Sequence, residues 1–385
     1  MKIFFGTQEG VGIKNFVSLA VALLLIGGAI WYFEGMRPQK IFPGEEAEII
    51  TKDSSARVAE KSGRFPRAKE IVSPAGFINT EGVKIADLVG KKIILVDFWT
   101  YSCINCQRTT PYLNAWYEKY QDKGLEIVGV HTPEFEFEKV YANVASAVKK
   151  FSIQYPVVLD NDYGTWNAYE NRYWPRKYLI DIDGFIVFDH AGEGAYERTE
   201  QKIQELLEER MAVLGMQDGI AKDIVKPEGI LETDTSQPRS PEVYFGSARN
   251  LSLGNGVRGV GGEQNLREPS AGIVKNILYL VGAWNIQEEY AENTDAGAKI
   301  IFRYQGKDLY LVASAENSVS IRVLRDGTWL RAEVGEDVVT REGVSRATIQ
   351  EDRLYKLIQD TEYGEHTIEI IIESPGFKAF TFTFG

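Results

Sequence analysis

FWTYSCINCQRTTPYL, residues 98–113, contains the only two cysteines of a 385-residue chain, Cys103 and Cys106. The run that leads into it, IILVDFW at residues 93–99, is short and apolar, as in a strand buried on both faces, and the residues after it read as a helix. A Cys-x-x-Cys that leaves a strand and opens a helix puts its first cysteine at the helix N-terminus. Unpaired N–H groups and the positive end of the helix dipole there favour thiolate over thiol, which makes Cys103 the expected nucleophile. Cys106 follows one turn later, near enough to close a disulfide and release whatever Cys103 holds. No other thiol is present, so a disulfide framework is excluded. A metal site would need more ligands than His131, His190 and His366 readily supply, and no metal or cofactor is expected.

Outward from the cysteines, strands and helices alternate. LEIVGVHT (125–132) and YPVVLD (155–160) are further strand candidates, and KYLIDIDGFIVFDH (177–190) reads as two strands joined at Asp183–Gly184. VYANVASAVKKF (140–151) and IQELLEERMAVL (203–214) carry helical apolar stripes. Such alternation predicts an α/β sheet with helices on both faces over residues 69–218. A polar bridge containing three prolines covers residues 219–241. Beyond it, short runs rich in Ile, Val, Tyr and Phe, separated by Gly, Asn and Asp turns, predict an all-β sandwich over 242–385, patterned independently of the first region.

The amino-terminal region, 1–33, includes an uncharged stretch at 16–33 that ends in Trp31 and Tyr32. Its length just crosses a hydrocarbon core, and it reads as an N-terminal transmembrane anchor with the bulk of the chain extracytoplasmic, periplasmic or on the outer surface. The alternative is a cleaved signal peptide, for which Gly27 and Ala29 offer small residues. Residues 34–68, polar and proline-containing, read as a tether. A net charge of −12 without any basic stripe argues against nucleic acid. The acidic run EFEFE (134–138) reads as a solvated face.

The surroundings of the cysteines resemble the thioredoxin superfamily position by position. Asp97 stands six residues before Cys103, where thioredoxins carry a buried acid; Trp99 stands four before, and Pro111 eight after. Pro175, directly before a strand, matches their cis-proline. LVDFWTYSCINCQRTTPYL, GVHTPEFEFE, YPVVLDNDYGTW, NRYWPRKYLID, GEGAYE and the closing RLYKLIQ…FTFTFG together resemble the redoxin and C-terminal region of DipZ-type cytochrome c biogenesis proteins, relatives of TlpA. The resemblance implies a redoxin fold, thiol-disulfide exchange outside the cytoplasm, and a final β-sandwich similar to a carbohydrate-binding module. DipZ-type proteins also carry a multi-helix, CcdA-like membrane domain. Here a single apolar segment is present, so a separate membrane or extracytoplasmic electron donor is expected.

Val96 and Phe98 flank Asp97 and argue for its burial, which raises a carboxyl pKa and suits it to take the proton of Cys106. Trp99 and Trp174 are expected to shape the active-site groove. His131 and Glu134 follow a strand that should end on the same side, and are groove candidates, with an ordinary loop histidine as the alternative. Three functions follow. The first is a membrane-anchored thiol:disulfide oxidoreductase working in the reductase or isomerase direction on protein disulfides. The second is a thiol peroxidase of the AhpC/TSA kind: Thr100 fits the threonine of its Pro-x-x-x-Thr-x-x-Cys stretch, but Val96 replaces the proline. The third is a glycan- or protein-binding module with an accessory redoxin, in which Trp284, Tyr304 and Trp329 would form a sugar platform.

Overall fold

The computed structural model describes residues 56–217, 219–228, 230 and 236–385, all within one compact unit. The apolar segment at 16–33, residues 34–55 of the expected tether, and positions 218, 229 and 231–235 of the second linker lie outside the described residues; the rest of that tether is instead packed on the redoxin, with helix Ala56–Ser62 holding Arg57 and Lys61 against Asp183 and Ala68 buried. No helix among the described residues is long and apolar enough to cross a membrane.

Six strands form the first sheet: β1 (Gly76–Ile78), β2 (Ile93–Trp99), β3 (Leu125–His131), β4 (Val157–Leu159), β5 (Arg176–Ile180) and β6 (Ile186–Ala191). Their order is β1-β4-β3-β2-β5-β6. β2, β3 and β4 run parallel, while β5 and β6 return antiparallel on one side and β1 on the other. Every residue of β2 and β3 is buried, because helices cover both faces of the sheet. Alternation along β2 divides it. Ile93, Leu95 and Trp99 pack with Leu113 and Trp116 of the cysteine helix Ile104–Tyr120, with Val144 of helix Tyr141–Lys150 and with Leu207 of helix Tyr196–Leu214. Ile94, Val96 and Phe98 face the other way, against Ile85, Trp166 and Tyr169. Each fully buried aliphatic or aromatic side chain of this kind contributes ~1.5–3 kcal/mol. Asp97 shares the row of Leu95 and Trp99, so the strand's period aims its carboxyl at the cysteine helix.

The C-terminal region is all β, and its eleven strands are hydrogen-bonded into one continuous sheet. Two long strands, Lys299–Ala315 and Arg353–Ile372, pair antiparallel, with a register shift between Gly306 and Asp308. Strand Lys299–Ala315 changes partner along its length. Its first residues pair with Leu278–Val281 and its last with Phe377–Phe384, so the sheet folds over a single apolar core without losing its hydrogen bonds. Trp284 and Tyr304 lie fully buried in that core, which removes them from any exposed sugar platform. Their apolar neighbours alternate with polar residues along the strands, and the aromatic rings follow the inward face.

The two regions do not pack independently. Ile104 and Phe135 of the first join Tyr310, Val312, Leu354 and Phe380 of the second in one buried cluster. Polar ties surround it: the Tyr101 hydroxyl donates to the Asp352 carbonyl (3.0 Å), and Arg249 donates to the Glu134 carboxylate (2.7 Å). The polar bridge between the regions is a reliable sign of a chain connection and says nothing about which surfaces meet after it.

Candidate functional site

β2 delivers the chain into the loop Thr100–Ser102, and Cys103 then caps the helix Ile104–Tyr120. With φ −78° and ψ 117° it is extended, and its Sγ accepts the N–H of Cys106 at 3.3 Å. Cys103 is partly exposed and Cys106 buried; both are free thiols. The Trp174–Pro175 peptide is cis, and the Trp174 carbonyl lies 3.9 Å from Cys103 Sγ. The Pro175 carbonyl accepts the N–H of Gly192 (2.7 Å), which hangs the loop of the GEGAYE stretch beside the same sulfur-facing turn.

Beneath the cysteines sits an unusual buried charge arrangement. Asp97 lies between Gly129 of β3 and Lys177 of β5 in the sheet register. A Cβ at Gly129 would come within 3.0 Å of the Tyr155 ring and 3.1 Å of Trp99 Nε1, so glycine lets these two rings pack close against the row without shifting. Burial pushes the Asp97 carboxyl up to about 7, with the Lys177 charge pulling it back in part. Its Oδ1 has no hydrogen-bond partner. Lys177 is itself completely buried and lowered by that burial; its ammonium donates to the Gly192 carbonyl at 3.2 Å. The Cys106 thiol is pushed well up, by burial first, then by Cys103, with Asp97 adding to it. A carboxyl that titrates near neutrality, an amine opposite and a high-pKa thiol above form a proton-handling set.

Trp99 packs in the core with Cys106, and Trp174 stacks near Trp166 (4.2 Å) while its Nε1 donates to the Thr132 carbonyl (3.0 Å). His131, the last residue of β3, is fully buried between the Trp99 and Tyr101 rings, with Nε2 3.4 Å from the Thr100 hydroxyl. Burial holds it down near 3, so it is neutral and supports the loop from below. Glu134, expected beside the groove, is placed elsewhere: its carboxylate accepts from Tyr244 and Arg249 of the β region. The strand-end rule located its loop correctly but not the partner surface that covers it.

Glu138 corrects the reading of EFEFE as a solvated face. It is fully buried and accepts from the Ser102 hydroxyl (2.6 Å) and amide (3.3 Å) and from the amide of Phe135 (3.1 Å). Burial pushes it up to about 7 against these hydrogen bonds. It pins the loop that presents Cys103. Neither Lys177 nor Glu138 stands out in the sequence; the one signal for Lys177 is a charge two residues after Pro175, at the head of a strand that continues apolar. Arg108, also unremarked, is buried and reaches Glu193 (3.3 Å) and the Tyr310 hydroxyl (3.4 Å) across the regions. Among the described residues, Asp181, Asp183 and Glu209 cluster closely enough to hold a cation, but the Lys61 ammonium already bridges all three.

Comparison with known proteins agrees with this geometry. Residues 68–189 match the AhpC/TSA family and residues 240–385 the family described as thioredoxin-like C-terminal domain. Protein DipZ of Mycobacterium tuberculosis is 35% identical over 352 residues, covering 90% of this chain and 46% of that protein. The chain thus spans about half the length of that relative. Thiol-disulfide oxidoreductase YkuV of Bacillus subtilis is 30% identical, covering 36% of this chain and 93% of YkuV. Thiol-disulfide oxidoreductase ResA of Bacillus cereus is 32% identical, covering 32% of this chain and 68% of ResA. A parallel-centred sheet with the cysteine pair at a strand-to-helix turn, together with these matches, establishes that the chain belongs to the thioredoxin-like thiol-disulfide oxidoreductases.

Proposed function

We propose that the protein reduces disulfides of other proteins outside the cytoplasm, held at the membrane by the segment at 16–33. Cys103 attacks one sulfur of the substrate disulfide. The Cys103–substrate bond forms, the substrate bond breaks, and the departing sulfur leaves as a thiol after taking a proton. Asp97 then accepts the proton of Cys106, whose thiolate attacks Cys103 and expels the second substrate thiol. Two electrons have passed to the substrate, and the Cys103–Cys106 disulfide is reset by a separate dithiol donor. The observation that carries this reading is the placement of Cys103 Sγ on the N–H of Cys106 beside the Trp174–Pro175 turn, with Asp97 and Lys177 below. A peroxidase is less well supported, because the Thr100 hydroxyl turns to His131 and not to Cys103. The DipZ relatives and the apolar segment support the anchored, extracytoplasmic placement.

Replacing Cys106 by alanine removes the internal route out of the mixed disulfide. Non-reducing gels of cells carrying Cys106→Ala are expected to show covalent complexes with extracytoplasmic proteins, all lost in a Cys103→Ser, Cys106→Ala double variant. Complexes that persist without Cys103, or that contain only cytoplasmic proteins, would refute the mechanism or the placement respectively.

A further inference from the structure

Of the two residues between the cysteines, Ile104 is not open. Ile104 is 2% exposed, buried under Tyr310, Val312, Leu354 and Phe380 of the β region. Phe380 also packs edge-on against Phe135 (5.1 Å) and Phe137 (4.9 Å), which follow β3. On the same flank Tyr101 is buried and tied to the Asp352 carbonyl. Cys103 nevertheless remains partly exposed, and Tyr173, 55% exposed, adjoins Trp174, whose carbonyl faces the sulfur. The nucleophile is therefore walled by a second domain where Ile104 lies, while Cys103 itself and the Tyr173 side chain stay accessible.

We propose that the β region is a fixed wall that sets substrate class: Cys103 reacts with a disulfide on an extended polypeptide segment entering along Tyr173–Trp174, and discriminates against one set in a compact protein surface. This rests on Cys103 being the attacking thiol. In-line attack needs the three sulfurs nearly collinear, and a bulky body carrying the target sulfur collides with the wall before that alignment is reached. A flexible segment bends away at little cost. The wall is held by a cluster that is distinct from the β region's own core: Leu354 and Phe380 belong to the shared cluster and not to the core around Trp284. A charge at either residue is expected to open this contact, while neither residue belongs to the core around Trp284.

The test compares one coloured leaving group, thionitrobenzoate, disulfide-linked to a cysteine in a linear peptide and to a cysteine at mid-helix of a compact helical bundle. Rates are measured by rapid mixing with the reduced full chain and with Phe380→Glu and Leu354→Glu. The wild-type protein is expected to favour the peptide by about tenfold or more, and both variants to bring the two rates within about threefold while the peptide rate itself holds. Equal rates in the wild type, or an unchanged preference in both variants, overturn the wall. Failure of the wild type to release the dye from either substrate overturns instead the assignment of Cys103 as the attacking thiol.

Discussion

The redoxin sheet and the C-terminal β region bury their interiors in opposite ways. The β region surrounds Trp284, Tyr304 and Phe382 with aliphatic side chains, an interior consistent with its alternating sequence. Beneath the cysteines, by contrast, the ionisable side chains Asp97, Lys177, His131 and Glu138 are all buried. Buried ionisable groups oppose folding unless something else retains them. That contrast is what the proposed proton role of Asp97 and the proposed wall over Ile104 rest on: ionisable groups kept in the redoxin interior, an apolar β interior, and a β surface that meets Ile104.

The sharpest attempt to break the contrast is Asp97→Asn. If the buried carboxyl handles the proton of Cys106, release from the mixed disulfide should slow by about 100-fold or more while its formation changes little, since general-base help is worth ~10²–10⁴. Rapid mixing separates the two steps, and equal slowing of both would make Asp97 merely structural. The opposite pole is Trp284→Ala. It should cost ~3–5 kcal/mol of stability in denaturant titration, with unaltered exchange kinetics in the protein that remains folded.

A smaller effect concerns pH. Asp97 titrates near 7 in the fold and near 3.8 when unfolded, so the folded state holds the extra proton between those values. Its favourable contribution is complete below about pH 4 and is lost as pH rises through 7, by ~4 kcal/mol at most. Asp97→Asn should thus gain stability relative to wild type as pH rises from about 4 to about 7 and hold that gain above it; parallel stability curves would place the carboxyl in a better-solvated site. Glu138, raised in the same direction, adds to the wild-type loss and is unaffected by that substitution. The smallest shift is expected for Lys177→Met. Removing the charge that lowers Asp97 should move the pH midpoint of mixed-disulfide release upward by about one unit. A midpoint that stays in place would show that Lys177 does not act through Asp97.

Much of the fold was legible because its signals are local. Buried strands β2 and β3 read as short, largely apolar runs, each broken by one acid, and the cysteine helix follows from its place after one of them. Misreadings cluster where a residue's surroundings come from distant parts of the chain. EFEFE has the look of a solvent-facing run, yet Ser102 and nearby amides converge on Glu138 and bury it. Trp284 and Tyr304 have the composition of a platform, and the strand period turns them inward.

By itself the sequence determined the cysteine pair at a strand-to-helix turn, the aim of Asp97 toward that helix, and the change from alternating α/β to all-β pattern. These depend on spacing and periodicity within one or two elements, which side-chain chemistry dictates directly. Only the tertiary structure decided that Lys177 stands opposite Asp97, that Glu138 pins the cysteine loop, and that the β region closes over Ile104. Each of these requires a strand register or a surface match between segments far apart in the chain, and many registers and docking faces satisfy the same local pattern.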